Sequence, residues 1–183
     1  DRALDPKRLM LARYLSSMYT VDHDLQEYQI TNAGLLRSGL LKRLESSPHA
    51  LHTSLEKMIT SHEAFLKALE LGRVLKGDAL SEWVSSDSDD LDAFVADFDG
   101  DDQQIESVDG YHLIELETDV RSDIALLKEL RDLAAQVVSG AEPKVQKLVD
   151  ELTQIAADAR RQDSRGVPHG DRRKVIVFSG FSD

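Results

Sequence analysis

Leu51, Leu55, Met58, His62, Phe65 and Leu69 follow one another in alternating steps of four and three. A strand would show its apolar side chains at every second residue, so this spacing selects a helix packed lengthwise against another helix. Its start is written in Ser46-Ser47-Pro48. Ser47 suits the N-cap, and Pro48 suits the first helical position, where a missing N–H is no loss. Continued to about Leu75, the helix is ~40 Å long at 1.5 Å per residue. The expected structure is a helical hairpin or stalk.

Other stretches repeat the signal. Pro6 stands in a first turn behind Asp5, and Leu9, Leu11, Ala12, Leu15 and Met18 extend a helix to about Tyr19. Residues 22–29 fit a short polar helix or turn. Over residues 31–45, Leu36, Leu40, Leu44 and Leu41 spread across an arc of ~140° at ~100° per residue. Arg37 falls inside that arc, either snorkelling from its edge or held for an ion pair or a phosphate. Helix resumes near Tyr111 and is clearest over residues 119–138, where Val120, Ile124, Leu127, Leu130, Leu133, Ala134 and Val137 mark one face. Ser139-Gly140-Ala141-Glu142-Pro143 closes it. A last helix starts at Pro143 with Val145, Leu148, Val149, Leu152, Ile155 and Ala156 inward.

Charge divides the chain. The formal net charge is −12, yet the stretch from Gly77 to Asp119 holds fifteen Asp and Glu and no Lys or Arg, so the remainder is mildly basic. Only the acidic part is unsuited to touching phosphate. Ser85-Ser86-Asp87-Ser88-Asp89-Asp90 and Asp97-Phe98-Asp99-Gly100-Asp101-Asp102 are too polar to offset the entropy of ordering, so a flexible loop with one helical turn around residues 91–98 is expected. Trp83, Phe94 and Phe98 either pin it to the bundle or serve as a partner's footholds.

The carboxyl-terminal run Lys174-Val175-Ile176-Val177-Phe178-Ser179-Gly180-Phe181-Ser182-Asp183 has the look of a strand covered on both faces, as in a parallel sheet. No other stretch offers it neighbours. The chain is therefore expected to be a piece of a larger protein. Its fold class is mainly α: a helical bundle or long helical hairpin with an acidic flexible loop and a C-terminal β-strand belonging to a truncated α/β lobe. The expected divisions are a helical region with the long hairpin (1–76), the acidic flexible loop (77–110), a second helical region (111–163), and a polar connector with the strand (164–183). No apolar run approaches the ~18 residues of a membrane span, and the amino terminus lacks the pattern of a signal peptide. With zero cysteines, a disulfide framework and thiolate metal sites are excluded, and a cytoplasmic location is expected.

Several catalytic patterns begin and fail. His62-Glu63-Ala64-Phe65-Leu66 opens like a zinc-protease helix but has Leu66 where the second histidine must face the metal. His49 and His52 share a helical face without a third ligand. Asp97, Asp99 and Asp101 imitate a calcium loop, but Asp102 replaces its glycine and Val108 its closing glutamate. Val149-Asp150-Glu151-Leu152 resembles a magnesium-binding acidic box, but it lies mid-helix. No Gly-x-x-x-x-Gly-Lys-Ser/Thr loop occurs. No catalytic residue and no metal ligand is expected in this segment.

The order of a helix starting Pro143-Lys144, a basic connector through Arg160-Arg161 to Arg172-Arg173, then Lys174-Val175-Ile176-Val177-Phe178-Ser179-Gly180-Phe181 resembles the opening of the second motor lobe in Snf-type (SWI/SNF-like) superfamily-two helicases. Gly180 departs from the usual glutamine. Leu41-Lys42-Arg43-Leu44-Glu45-Ser46-Ser47 before a long helix is similar to the helical region that joins the lobes of bacterial helicase-like proteins of this branch. The resemblance implies a non-catalytic helical linker or insertion in an ATP-dependent DNA helicase or translocase. It implies that residues 164–183 lead into the helicase C-terminal lobe, that ATP and magnesium belong to the parent ATPase, and that DNA and the motor lobes are the partners. Arg37, Lys42 and Arg43 are the candidate contacts to the nucleic-acid backbone, although they do not share one helical face. The competing reading is a free-standing helical protein-interaction module whose last strand pairs in a partner's sheet.

Overall fold

The computed structural model describes residues 4–22, 27–86, 90–101, 104–138, 143–159 and 174–177. The fold is mainly α. Helix α1 (Glu27–Ser46) and α2 (Pro48–Glu70) are separated by Ser47 alone, whose hydroxyl accepts the Ala50 N–H at 3.0 Å. That cap satisfies one of the free amides of the first turn, as the sequence predicts. Residues 23–26, within the predicted polar turn, lie outside the described residues.

Helix α2 stops at Glu70, not at Leu75. The Leu71 N–H closes on the carbonyls of Lys67 and Ala68, and Gly72 takes φ 84°. A side chain is strained at that angle, so glycine turns the chain there without penalty. Beyond it β1 (Arg73–Leu75) pairs antiparallel with β2 (Ile105–Ser107), Val74 opposite Glu106.

Helix α5 (Leu113–Val138) lies along α2. Glu63 pairs with Lys128 at 2.6 Å and Glu70 with Arg121 at 2.8 Å. Advancing along α2 thus means retreating along α5, and the two helices are antiparallel. These exposed pairs contribute under about 1 kcal/mol each; the apolar seam between the helices contributes more. Phe65, Ala68 and Leu69 of α2 join Leu116, Val120 and Ile124 of α5 in one buried cluster. Leu55, Met58 and Ile59 join Leu126 and Leu127 in another, closed by Ala33 and Leu40 of α1 and by Leu9 and Leu11. Each large apolar side chain so buried stabilises the fold by about 1.5–3 kcal/mol.

The described residues of the acidic segment 77–110 are folded where a flexible loop was predicted. They form α3 (Gly77–Ser86), α4 (Leu91–Asp97), β2 and a 3-10 turn at Val108–Gly110. Ala79, Leu80, Trp83 and Leu91 are buried, while Asp78, Glu82, Asp90, Asp92 and Asp97 face water. Asp90 also caps α4 by accepting the Ala93 N–H at 3.0 Å. The overall polarity of the segment is misleading because its few apolar residues fall on one face. Residues 87–89 and 102–103 lie outside the described residues.

The amino-terminal helix is replaced by a turn, an irregular stretch over Leu9 to Leu11, and a 3-10 segment (Ala12–Tyr19) kinked at Leu15. Leu11 has φ 58°, in the left-handed region. The 3-10 segment joins α5 through His112 N–H to Tyr19 O at 2.7 Å and the Thr20–Tyr111 bridge.

Helix α6 (Pro143–Asp158) begins at the predicted proline; residues 139–142 lie outside the described residues. Residues 145–151 are exposed throughout. The predicted buried strand is not formed over residues 174–177: Lys174, Val175, Ile176 and Val177 are exposed and outside any sheet, Ile176 at 79%. A parallel strand is held by hydrogen bonds from neighbours, and β1–β2 is the only sheet among the described residues. The connector 164–173 and residues 178–183 lie outside the described residues. No described helix is long and apolar enough to cross a membrane.

Phe65→Ala is expected to cost about 3–5 kcal/mol in urea unfolding, the usual range for a fully buried phenylalanine. Leu148→Ala, on the exposed part of α6, is expected to change stability by no more than about 0.5 kcal/mol.

Candidate functional site

Asp123 is fully buried in the middle of α5. One carboxylate oxygen accepts the Met10 N–H and the other the Ala12 N–H, both at 2.7 Å. From α1, Arg37 grips the carbonyls of the same segment: Nε and Nη2 donate to Leu9 O at 3.1 and 2.9 Å, and Nη2 donates to Met10 O at 2.8 Å. An anion thus satisfies the amides of this irregular stretch and a cation its carbonyls, which replaces the bonds a helix would have made. Burial raises the Asp123 pKa, and the backbone N–H groups partly oppose it by favouring the carboxylate. Burial lowers the Arg37 pKa against the favourable charge of Asp123.

The three basic residues singled out from the sequence are not brought together. Arg37 is committed to Leu9 and Met10, which is neither of the two roles its sequence position suggested. Lys42 is exposed, and Arg43 is half-buried in the last turn of α1, where a cation complements the helix dipole. Of the three, Lys42 is the one whose side chain is exposed.

The histidines are equally distinct. His49 is exposed, and His52 faces Glu56 at 3.8 Å. His62 is fully buried, its Nδ1–H donating to Met58 O at 2.7 Å and its ring meeting the Tyr14 ring at 5.7 Å. Burial, together with the nearby Arg13 charge, lowers its pKa to about 4, against the opposing Met58 carbonyl. His62 is a neutral core residue, consistent with its place among the apolar positions of α2. Among the described residues no three His, Asp or Glu side chains converge as a metal cage.

Apolar side chains are exposed on several elements, among them Ile30, Leu35 and Leu44 of α1 and Ile114, Leu133 and Val137 of α5. Val145, Leu148 and Val149 of α6 are 52%, 39% and 49% exposed, and Val175, Ile176 and Val177 are exposed as well. The reading of α6 as inward-facing is therefore met only in part: Leu152, Ile155 and Ala156 are half-buried. Sequence reasoning missed Asp123 altogether. Its signal was available, since it sits among Val120, Ile124 and Leu127 on the apolar side of α5. A carboxylate there has to find donors.

Comparison with known proteins finds no matching family model, no matching curated protein and no matching solved structure.

Arg37→Ala is expected to destabilise the chain by about 2 kcal/mol, because a charged donor and its buried acceptors are lost together. Lys42→Ala is expected to leave stability within about 0.5 kcal/mol; paired urea titrations measure both.

Acid is expected to weaken the fold through His62. Its pKa is 6.5 unfolded and about 4 folded, so the stability is present above 6.5 and is lost as pH falls through 4, by roughly 3 kcal/mol. Asp123 has the opposite sign, since a raised carboxyl pKa favours the folded state as pH falls. Urea midpoints between pH 7 and pH 4 should drop less steeply in His62→Leu than in the parent chain.

Proposed function

We propose that this chain is the non-catalytic helical segment of a Snf-type DNA-dependent ATPase, placed between its two motor lobes. The observation that supports this best is the continuous exposure of α6. The elements up to α5 bury their seams against one another while leaving side chains such as Leu35 and Ile114 exposed, whereas residues 145–151 of α6 are exposed throughout and residues 175–177 also present apolar side chains to water. Surfaces of that kind mark a site of contact, and in this reading the contact is with the lobes of the same parent protein. The sequence order of α6, a basic connector and Lys174-Val175-Ile176-Val177 is the order that opens the second lobe in that family.

In this role the segment carries no catalytic residue. ATP and magnesium belong to the lobes, and the segment fixes their separation and orientation. Lys42 and Arg43, near the end of α1, would meet a DNA phosphate without reading bases. Such an enzyme works in the cytoplasm, where its substrate lies.

The free-standing interaction module keeps one observation in its favour, the closed packing of α1 to α5. The reading frame on both sides of the segment separates the two. The motor reading expects a phosphate-binding loop and acidic box upstream, an arginine-bearing motif downstream, and ATP hydrolysis by the intact product that rises with duplex DNA. A frame without nucleotide motifs, or hydrolysis indifferent to DNA, would overturn it. Within an active parent, Lys42→Gln combined with Arg43→Gln is expected to reduce the dependence of log DNA affinity on log salt by about 2, near the value for two lost phosphate contacts.

A further inference from the structure

The 3-10 segment, the start of α1 and the junction of β1 with α3 enclose a cleft of about 590 Å³. That volume is within the range of small-molecule sites. Arg13, Ser16 and Asn32 line it from the first two elements, and Lys76 and Asp78 from the third, with Asp101 beside them.

Arg13 is the unusual member. Its Cζ lies 3.9 Å from the centroid of the Tyr14 ring, a stacking that fixes the guanidinium plane. Its Nε is buried without a hydrogen-bond partner among the described residues. Arg37, by contrast, makes three hydrogen bonds to backbone oxygens. A buried donor without an acceptor in a folded protein calls for an explanation.

Ser16 adds to it. This residue is 1% exposed and lines the same cleft. Its neighbours are already engaged: the Gln29 carbonyl accepts both the Ser17 N–H and the Ser17 hydroxyl, and Lys76 pairs with Glu106 at 2.5 Å. The first turn of α3 is not the source of the site, because Gln104 already accepts the Ala79 N–H at 3.0 Å.

The charges lining the cleft select the ligand. Arg13 stands with two anions, Asp78 and Asp101, while the Lys76 charge is already paired with Glu106. A multiply charged anion or a nucleic-acid backbone would meet both carboxylates, whereas a dipolar molecule is matched at each end. We propose that the cleft binds a small dipolar metabolite, its phosphate or carboxylate on Arg13 and Ser16 and its ammonium toward Asp78 and Asp101. The inference stands apart from the motor reading, and its failure would leave that reading untouched.

Amide NMR titrations of the chain with phosphoethanolamine, β-alanine and inorganic phosphate test it. The expected result is saturable shifts at Arg13, Ser16, Asn32 and Asp78 with at least one of the two dipolar probes, binding about tenfold more tightly than inorganic phosphate. Phosphoethanolamine against β-alanine decides between the phosphate and carboxylate forms. Arg13→Gln should abolish the shifts, and Asp78→Asn, at an exposed position, should remove the tenfold preference while the rest of the spectrum stays unchanged. The proposal is overturned if neither dipolar probe shifts these amides by about 10 mM, if inorganic phosphate binds as well as both, or if Asp78→Asn leaves the preference intact.

Discussion

The antiparallel seam between α2 and α5 is the contact on which the other elements depend. Its two buried clusters lie in succession along the pair, one around Leu55, Met58 and Leu127, the other around Phe65, Leu69 and Val120. Each draws in its own cover. Helix α1 and the amino-terminal segment close the first, and β1, α3 and α4 close the second. Two amphipathic helices alone would leave their flanks wet, so what a covering element needs is apolar side chains on one face, however polar it is as a whole.

The amino-terminal segment shows the cost of covering a seam with irregular backbone. Its carbonyls and amides would be orphaned between α1 and α5, and burying an unpaired peptide group is expensive. Asp123 and Arg37 supply the missing partners from opposite sides. Neither side chain is a spare charge. A buried carboxylate that accepts two N–H bonds and a guanidinium that donates three set the position of residues 9–12 more narrowly than apolar packing does.

The helices were legible because their signals are local. Ser47 and Pro48 announce α2, Pro143 announces α6, and the apolar face of α5 repeats over several turns. What the sequence concealed depends on distant partners. Strand β1 has three residues and finds β2 only after α3 and α4 have intervened, and no three-residue run carries that information. Gly72 was the one local mark of the break. Arg37 was correctly placed within the apolar arc of α1, but its acceptors belong to a segment the sequence suggested was helical. Had that segment been helical, its carbonyls would have been engaged and Arg37 left for another partner. The failed reading of the acidic stretch is similar: composition was averaged over a window, while burial follows single positions such as Leu80 and Trp83.

Two kinds of surface result. The seams of the elements through α5 are covered by their own chain, and residues 145–151 of α6 and residues 174–177 are exposed. Hydrogen exchange on the chain by itself tests that division most directly. Amides in the buried middle of α5 and at Met10 and Ala12 should open only with the whole fold, and those over 145–151 should exchange faster by about two orders of magnitude or more. Equal protection of α6 and α5 in the chain by itself would contradict the division, and would mean that the apolar face of α6 is already part of the core.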